Sequence, residues 1–176
     1  MYERPTKTKT NYPVSLDEAK RHLRIDDNWD KDDDYIRNLI KAATHKCEEY
    51  IGKDIAETDN VLKIWNFIGS ELWVEEGNFL SLTSVKADDN STNISVNKTQ
   101  VYYNRFYLEL TESQDQDPLY VYYKTGYIPE NVPALIKQAV LVKIGDLYDV
   151  ERQSYSNEKE NYAYQRLLDS FKLILY

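Results

Sequence analysis

The sequence predicts an α+β chain: a small helical bundle of about four helices, with a β-rich insertion of about six strands between the second and third helix. Two observations carry this expectation. Apolar residues recur every three or four positions before about residue 57 and after about residue 128, but every second position from about 61 to 124. Polar breaks at 87–93 and 111–118 then cut the middle stretch into hairpin-sized pieces. The expected organisation is a flexible N-terminal arm over 1–12 and a single domain over 13–176. Within that domain, 13–57 and 128–176 form the helical body and 58–127 the β insert.

Residues 1–12 carry Arg4, Lys7 and Lys9 against Glu3 and almost no apolar side chain, the pattern of a loose arm. Pro13 fits a chain arriving extended. Ser15 can cap a helix beginning at Leu16, and Glu18, three residues on, completes a capping box. Leu16, Ala19 and Leu23 give that helix one apolar stripe. An acidic linker over 26–34 follows. The clearest helix then spans about 32–51, with Ile36, Leu39, Ile40, Ala43, Cys47 and Tyr50 on one face. Asp32, Asp33 and Asp34 suit its positive N-terminal end, and Gly52 is placed to stop it.

In the middle stretch, Leu62, Ile64 and Ile68 alternate with Lys63 and Trp65, and Leu72-Trp73-Val74 leads into a turn at Glu76-Gly77-Asn78. Ile94 and Val96 alternate with Ser95 and Asn97. Tyr102, Phe106, Leu108 and Leu110 form one expected face, with Arg105 and Glu109 on the other. Leu119, Val121 and Tyr123 make the last short strand. Helices resume at Pro133, which suits a first helical position. Leu135, Ile136, Ala139, Val140, Ile144, Leu147 and Tyr148 supply a broad apolar face. A polar gap over 153–160 precedes a last helix carrying Tyr164, Leu167, Leu168 and Phe171.

Composition narrows the function classes. The 176 residues hold 41% hydrophobic side chains, enough for a real core without cross-links. Thirty acids against 22 bases give a net charge of −8, which argues against a body that grips nucleic acid phosphates. Cys47 is the single cysteine, so no internal disulfide is expected. The first twelve residues lack an apolar signal core, and no stretch approaches a membrane-spanning length. A reducing cytosol is the expected site of folding.

Familiar chemistries find few residues. Asp26, Asn28 and Asp30 match the first three ligand positions of an EF-hand loop, but Lys31 and Arg37 occupy the glycine and bidentate-glutamate positions. The acids therefore read as helix-dipole partners and a solvated loop. His45 and Cys47 are two apart on a helix and face different ways, and His22 is on another helix, so no metal site is expected. Cys47 lies on the expected core face, where a thiol is inert. There is no nucleophile elbow or phosphate-binding glycine loop, and neither enzymatic activity nor a cofactor is expected. Asn90-Ser91-Thr92, Asn93-Ile94-Ser95 and Asn97-Lys98-Thr99 match the glycosylation pattern and read as a polar hairpin loop.

Aromatic usage is the unusual feature. Tyrosine occurs 16 times while glycine occurs only 5 times. Such rings suit β-strands, and they equally suit surfaces that wait for a partner. On the insert, Trp65, Trp73, Tyr102, Tyr103, Tyr107, Tyr120, Tyr122 and Tyr123 could stack sugars or bases, sit half-buried in strands, or anchor a subunit contact. Because strands have two faces and the helical body is small, some rings must stay exposed or be covered by a neighbouring chain. That points towards assembly.

Several segments carry a family resemblance. Val14-Ser15-Leu16-Asp17-Glu18-Ala19-Lys20-Arg21-His22-Leu23-Arg24-Ile25-Asp26 is followed by the acidic gap. The helix from Tyr35 then closes on Cys47-Glu48-Glu49-Tyr50-Ile51-Gly52. Later come Leu80-Ser81-Leu82-Thr83-Ser84-Val85-Lys86, Tyr123-Lys124-Thr125-Gly126-Tyr127 and Val132-Pro133-Ala134-Leu135-Ile136-Lys137-Gln138-Ala139. Leu147-Tyr148, Glu151-Arg152 and Tyr164-Gln165-Arg166-Leu167-Leu168-Asp169 complete the set. Together they resemble the phage head–tail connector proteins that sit under the portal of tailed bacteriophages and related prophages.

The resemblance implies a non-enzymatic structural protein of the virion neck, assembled in the host bacterial cytoplasm. Its copies would form a homo-oligomeric ring, roughly twelvefold to match the portal. The ring would bind the portal protein, offer a platform to the next neck or tail-completion protein, and extend the DNA channel without specific DNA binding. Tyr102, Tyr120 and Tyr122 on the insert and Phe171, Leu173, Ile174 and Tyr176 at the C-terminus are the expected subunit or portal contacts. Asp26, Asp27, Asp30 and Asp32 are the expected acidic lining of the channel. The competing expectation is a carbohydrate- or receptor-binding module that uses the same exposed aromatics.

Overall fold

In a computed structural model of the chain, residues 3–87, 93–148 and 162–172 are described. The chain forms two compact units, crossing between them after Thr10, Ala56 and Gly126. One unit holds the strands and the other the helices. The expected polar gap at 153–160, the first glycosylation-like triplet, and Leu173, Ile174 and Tyr176 lie outside the described residues.

The helical unit contains α1 (Leu16–Leu23), α2 (Asp33–Ile51), α3 (Ala134–Tyr148) and α4 (Ala163–Leu168), with 3-10 turns at Pro129–Asn131 and Asp169–Phe171. The capping box forms as the sequence implies: the Glu18 N–H donates to Ser15 Oγ at 3.2 Å, and the Ser15 N–H donates to Glu18 Oε2 at 2.8 Å. Arg24 ends α1 in the left-handed conformation, with φ 58°. Gly52 does the same for α2 at φ 72°, where a residue without Cβ costs least.

The i, i+3, i+4 stripe of α2 meets α3 in a core of Ile36, Leu39, Ile40, Ala43, Cys47, Ile51, Ile136, Ala139, Val140 and Ile144. Burying each Ile or Leu contributes roughly 1.5–3 kcal/mol. Two details differ from the periodicity. Leu135 is 49% exposed, whereas Lys143 is buried, with its aliphatic stem packed and its ammonium 4.8 Å from the Tyr164 ring centre. Glu48 is also buried. Its Oε1 accepts the Ile55 N–H at 2.9 Å and the Ala56 N–H at 3.0 Å, tying the end of α2 to the segment that leaves this unit.

Among the described residues the strands are β1 (Thr6–Asn11), β2 (Glu57–Ile64), β3 (Phe67–Val74), β4 (Phe79–Lys86), β5 (Asn93–Ile94), β6 (Val96–Val101), β7 (Phe106–Gln116) and β8 (Leu119–Thr125). They build a five-stranded sheet ordered β1-β2-β8-β4-β5 and a three-stranded sheet ordered β3-β7-β6. Both are antiparallel, as hairpin connections require. Leu62, Ile64, Val85, Leu119, Val121 and Tyr123 from the larger sheet meet Phe67, Leu72, Val74, Phe106, Leu108 and Leu110 from the smaller one. The β unit thus has a core of its own, and each sheet keeps an outward face.

Several expectations are corrected here. Residues 6–11, read as part of a loose arm, form edge strand β1: Glu3 N–H donates to Lys63 O at 3.1 Å, and Thr10 Oγ1 to Glu57 O at 3.1 Å. A polar strand can hold an edge by backbone pairing alone, so its lack of apolar residues hid it. Ile68 is 77% exposed and Phe67 is buried instead, because Asn66 at φ 53° turns the chain and resets the alternation. The break expected at 111–118 is confined to Asp117-Pro118, since β7 runs on through its polar half to Gln116. Tyr102 does not share the face of Phe106. It lies beyond the end of β6, in a turn closed by its N–H donating to Arg105 O at 2.8 Å, and is 40% exposed.

Two outcomes test this account. Glu48→Ala leaves two buried N–H groups unmatched and should lower unfolding stability by roughly 2–4 kcal/mol in urea titrations. Glu49→Ala, one residue on and exposed, should leave the urea midpoint nearly unchanged. Burial, reinforced by the Glu48 carboxylate and partly offset by Lys143, pushes the Cys47 thiol up to about 12. The folded thiol therefore holds its proton more tightly than the unfolded one. Its contribution to stability is complete below its ordinary value of 9.0 and is lost as pH rises towards about 12. At mildly alkaline pH, Cys47 should resist alkylation in buffer and react fully in denaturant.

Candidate functional site

The residues that could meet a partner lie mainly on the outward faces of the β unit. Trp73 on β3 is paired in register with Tyr107 on β7, and their rings lie 4.9 Å apart. The turn after β6 delivers Tyr102 to within 5.2 Å of the same indole and sets the Arg105 guanidinium 4.5 Å from its centre. Trp73, Tyr102, Tyr103 and Arg105 are all exposed. Burial, with the Glu71 and Glu109 carboxylates nearby, raises the Tyr107 hydroxyl above its ordinary range. A planar cation stacked on an indole with two tyrosines alongside is an amphipathic platform. It offers apolar area, oriented N–H donors and little rotamer freedom to lose.

Beside this platform is a cavity of about 500 Å³, lined by Arg4, Pro5, Leu62, Val74 and Tyr123. At its rim Glu76 accepts Lys7 Nζ at 2.9 Å and Tyr123 OH at 3.3 Å.

The larger sheet presents a second row. Tyr120 and Tyr122 point outward from β8 with rings 6.4 Å apart and nearly parallel. Lys63 lies 5.5 Å from the first ring centre and Lys86 lies 5.1 Å from the second. Further along the same strand, Lys124 bridges Glu57 at 2.7 Å and Asp59 at 3.4 Å. Its pKa is raised, chiefly by the Glu57 hydrogen bond. The structure thus brings Tyr120 and Tyr122 together and sets Tyr102 in a separate cluster around Trp73.

The acidic residues sit in the α1–α2 connection. Asp26, Asp27 and Asp30 are exposed and Asp32 is half-buried. Asp26 Oδ1 accepts the Asn28 N–H at 2.9 Å, and Asp32 Oδ2 accepts Trp29 Nε1 at 2.9 Å. Buried Lys20 closes the connection from below, meeting Asp33 Oδ1 at 2.5 Å and donating to Trp29 O at 2.7 Å. Among the described residues no three His, Cys, Asp or Glu side chains converge on a point where a metal could sit. Of the expected C-terminal contacts, Phe171 is half-buried against the helical core. Nearby, the Tyr50 hydroxyl donates to Asp169, and the Lys172 ammonium lies 4.3 Å from the Tyr50 ring centre.

Sequence reasoning set Arg105 aside as a solvent-facing strand residue. The clue was the run Tyr102-Tyr103-Asn104-Arg105, in which an arginine ends an aromatic turn beside a strand that carries Trp73. Ile68, among the described residues the most exposed large hydrophobic side chain, left no signal, because its alternation looked inward.

Comparison with known proteins completes the description. No curated protein sequence matches the chain. Solved structures match over almost its whole length. A chain of "Neck of empty GTA particle computed with C6 symmetry" gives a TM-score of 0.71 at 12% identity, covering 97% of each chain. One of "Neck of native GTA particle computed with C12 symmetry" gives 0.69 at 12% identity, covering 99% of this chain and 97% of that one. One of "Virion of native gene transfer agent (GTA) particle" gives 0.67 at 13% identity, covering 97% of both. At such identities the likeness is one of fold. The sequence profile of the phage gp6-like head–tail connector proteins matches residues 13–123, through α1, α2 and most of the strands, and the chain belongs to that family.

Proposed function

We propose that this chain is a structural component of a virion neck whose copies close into a ring on the portal, extend the DNA channel and receive the next neck or tail component. The observation that carries the reading is the family match over 13–123, joined to a fold shared end to end with neck chains of particles computed with C6 and C12 symmetry. A closed ring needs two different surface patches that fit each other, repeated around an axis. The Trp73–Tyr102–Arg105 platform and the Tyr120–Tyr122 row are separate outward features of one unit and supply two such patches. No helix among the described residues is long and apolar enough to cross a membrane.

The remaining roles follow from chemistry. A passage lined with negative charge repels DNA phosphates and lets a genome slide without sticking. Exposed Asp26, Asp27 and Asp30, with Asp32 behind them, are the residues we assign to that lining. Phe171, with Leu173, Ile174 and Tyr176 beyond it, is assigned to docking on the portal or an adjacent copy. A carbohydrate- or receptor-binding role remains the second reading, favoured by one feature: an indole platform open beside a cavity of about 500 Å³.

Mass measurement of the purified chain, alone and mixed with a phage portal protein, should give a ring of about twelve copies at least in the mixture. A chain that stays monomeric in both would overturn the reading. Trp73→Ala combined with Arg105→Ala should leave the fold intact and weaken assembly at least about tenfold. Intact assembly with loss of glycan binding would favour the second reading. Truncation after Asp169 should abolish portal binding, and unchanged binding would remove the C-terminal assignment.

A further inference from the structure

Residues 26–31 are all exposed, so this part of the α1–α2 connection buries no apolar side chain of its own. It nonetheless has a definite shape: the Trp29 N–H donates to Asp26 O at 3.0 Å, and the Asp33 N–H to Asp30 O at 3.1 Å. What lies beneath is an ammonium. Lys20, in the last turn of α1, is only 4% exposed. Its Nζ meets Asp33 Oδ1 at 2.5 Å, Trp29 O at 2.7 Å and Asp27 O at 3.5 Å. An ammonium has three N–H donors, matched in number by these oxygens. Asp33 Oδ1 is buried, and among the described residues the ammonium is the one cation it meets. The Lys20 carbonyl adds a backbone tie by accepting the Ile25 N–H at 3.0 Å.

Two carbonyls and a carboxylate converging under a polar loop are the kind of oxygen set that calcium takes from a protein. The sequence carries a fragment of such a loop in Asp26, Asn28 and Asp30, with Lys31 and Arg37 where its glycine and last glutamate belong. Asp26 is not among the converging groups, because its Oδ1 accepts the Asn28 N–H at 2.9 Å. The oxygens that do converge surround a positive centre that belongs to the chain itself.

We propose that Lys20 is a built-in cation that holds the α1–α2 connection in shape, so that Asp26, Asp27, Asp30 and Trp29 are presented from a fixed frame without a divalent ion. This holds for one chain alone, whether or not copies form a ring. A tethered ammonium is present at every ion concentration, whereas a bound metal comes and goes with its supply. Removing it leaves a buried carboxylate oxygen and two carbonyls without their positive partner. The connection then has no side chain beneath it to replace that centre.

The test uses the ¹⁵N-labelled full chain and two readouts: the Trp29 indole N–H, which donates to Asp32 Oδ2 at 2.9 Å, and amide hydrogen exchange at Trp29 and Asp33. The indole signal is identified by its loss in Trp29→Phe. In the wild-type chain it should stay in place when calcium chloride, magnesium chloride or EDTA is added. A saturable shift with either metal would overturn the proposal. Lys20→Met keeps a buried stem and removes the charge. It should speed exchange at Trp29 and Asp33 at least about tenfold. The Gly52 and Ile55 amides, which donate to Glu48 at 2.8 Å and 2.9 Å, should keep their rates. Unchanged exchange at Trp29 and Asp33 would overturn the proposal. Equal acceleration at all four amides would do the same, because Lys20 would then support the helical unit in general. If Lys20→Met does not fold, Asp33→Ala removes the carboxylate instead and should give the same selective acceleration; its absence would count against the role of Lys20.

Discussion

The alternation along β8 commits Leu119, Val121, Tyr123 and Thr125 to the interior, each no more than 1% exposed, and so commits Tyr120, Tyr122 and Lys124 to the surface. This strand lies between β2 and β4 at the centre of the larger sheet, with seven registered partners on β2 alone. A slip of one residue would place a lysine in the core and expose four side chains that now hold the two sheets together. Everything outward-facing on this sheet is therefore fixed by what faces inward. The paired tyrosines with their flanking lysines are a consequence of that register.

The smaller sheet repeats the logic with a different product. Burial of Leu72, Val74, Phe106 and Leu108 turns Trp73 and Tyr107 to the opposite side, where the turn from β6 to β7 adds Tyr102 and Arg105. The exposed platform is built from residues adjacent in sequence to some of the most buried ones. Such a platform is stiff, because the backbone beneath it belongs to the core, and stiffness limits the entropy lost when a partner binds. The helical unit shows the same economy at Glu48, whose buried carboxylate satisfies two backbone donors where the chain departs. These features suit a structural protein of the head–tail connector family.

The helices were largely legible in the sequence because their signals are local. Ser15 and Glu18 sit three residues apart, Gly52 needs only its own missing Cβ, and Ile36 to Cys47 lie on one face by spacing alone. The strands between α2 and α3 were legible as a period of two. Arg105, β1 and Ile68 were not, for three different reasons. Arg105 stacks on an indole more than thirty positions upstream. Strand β1 is defined by a neighbouring edge and not by its own side chains. Ile68 follows a turn at Asn66 that restarts the alternation out of step.

By itself, then, the sequence determined the helices and the alternating strands between α2 and α3, the inward faces of α2, β7 and β8, the inert cysteine and the family to which the chain belongs, since all of these rest on residue type and short-range spacing. The tertiary structure alone decided which aromatics share a surface, where the arm is held and that the insert has its own two-layer core. Those outcomes depend on pairings between distant strands, and a linear pattern specifies which side a residue faces without specifying what it will face.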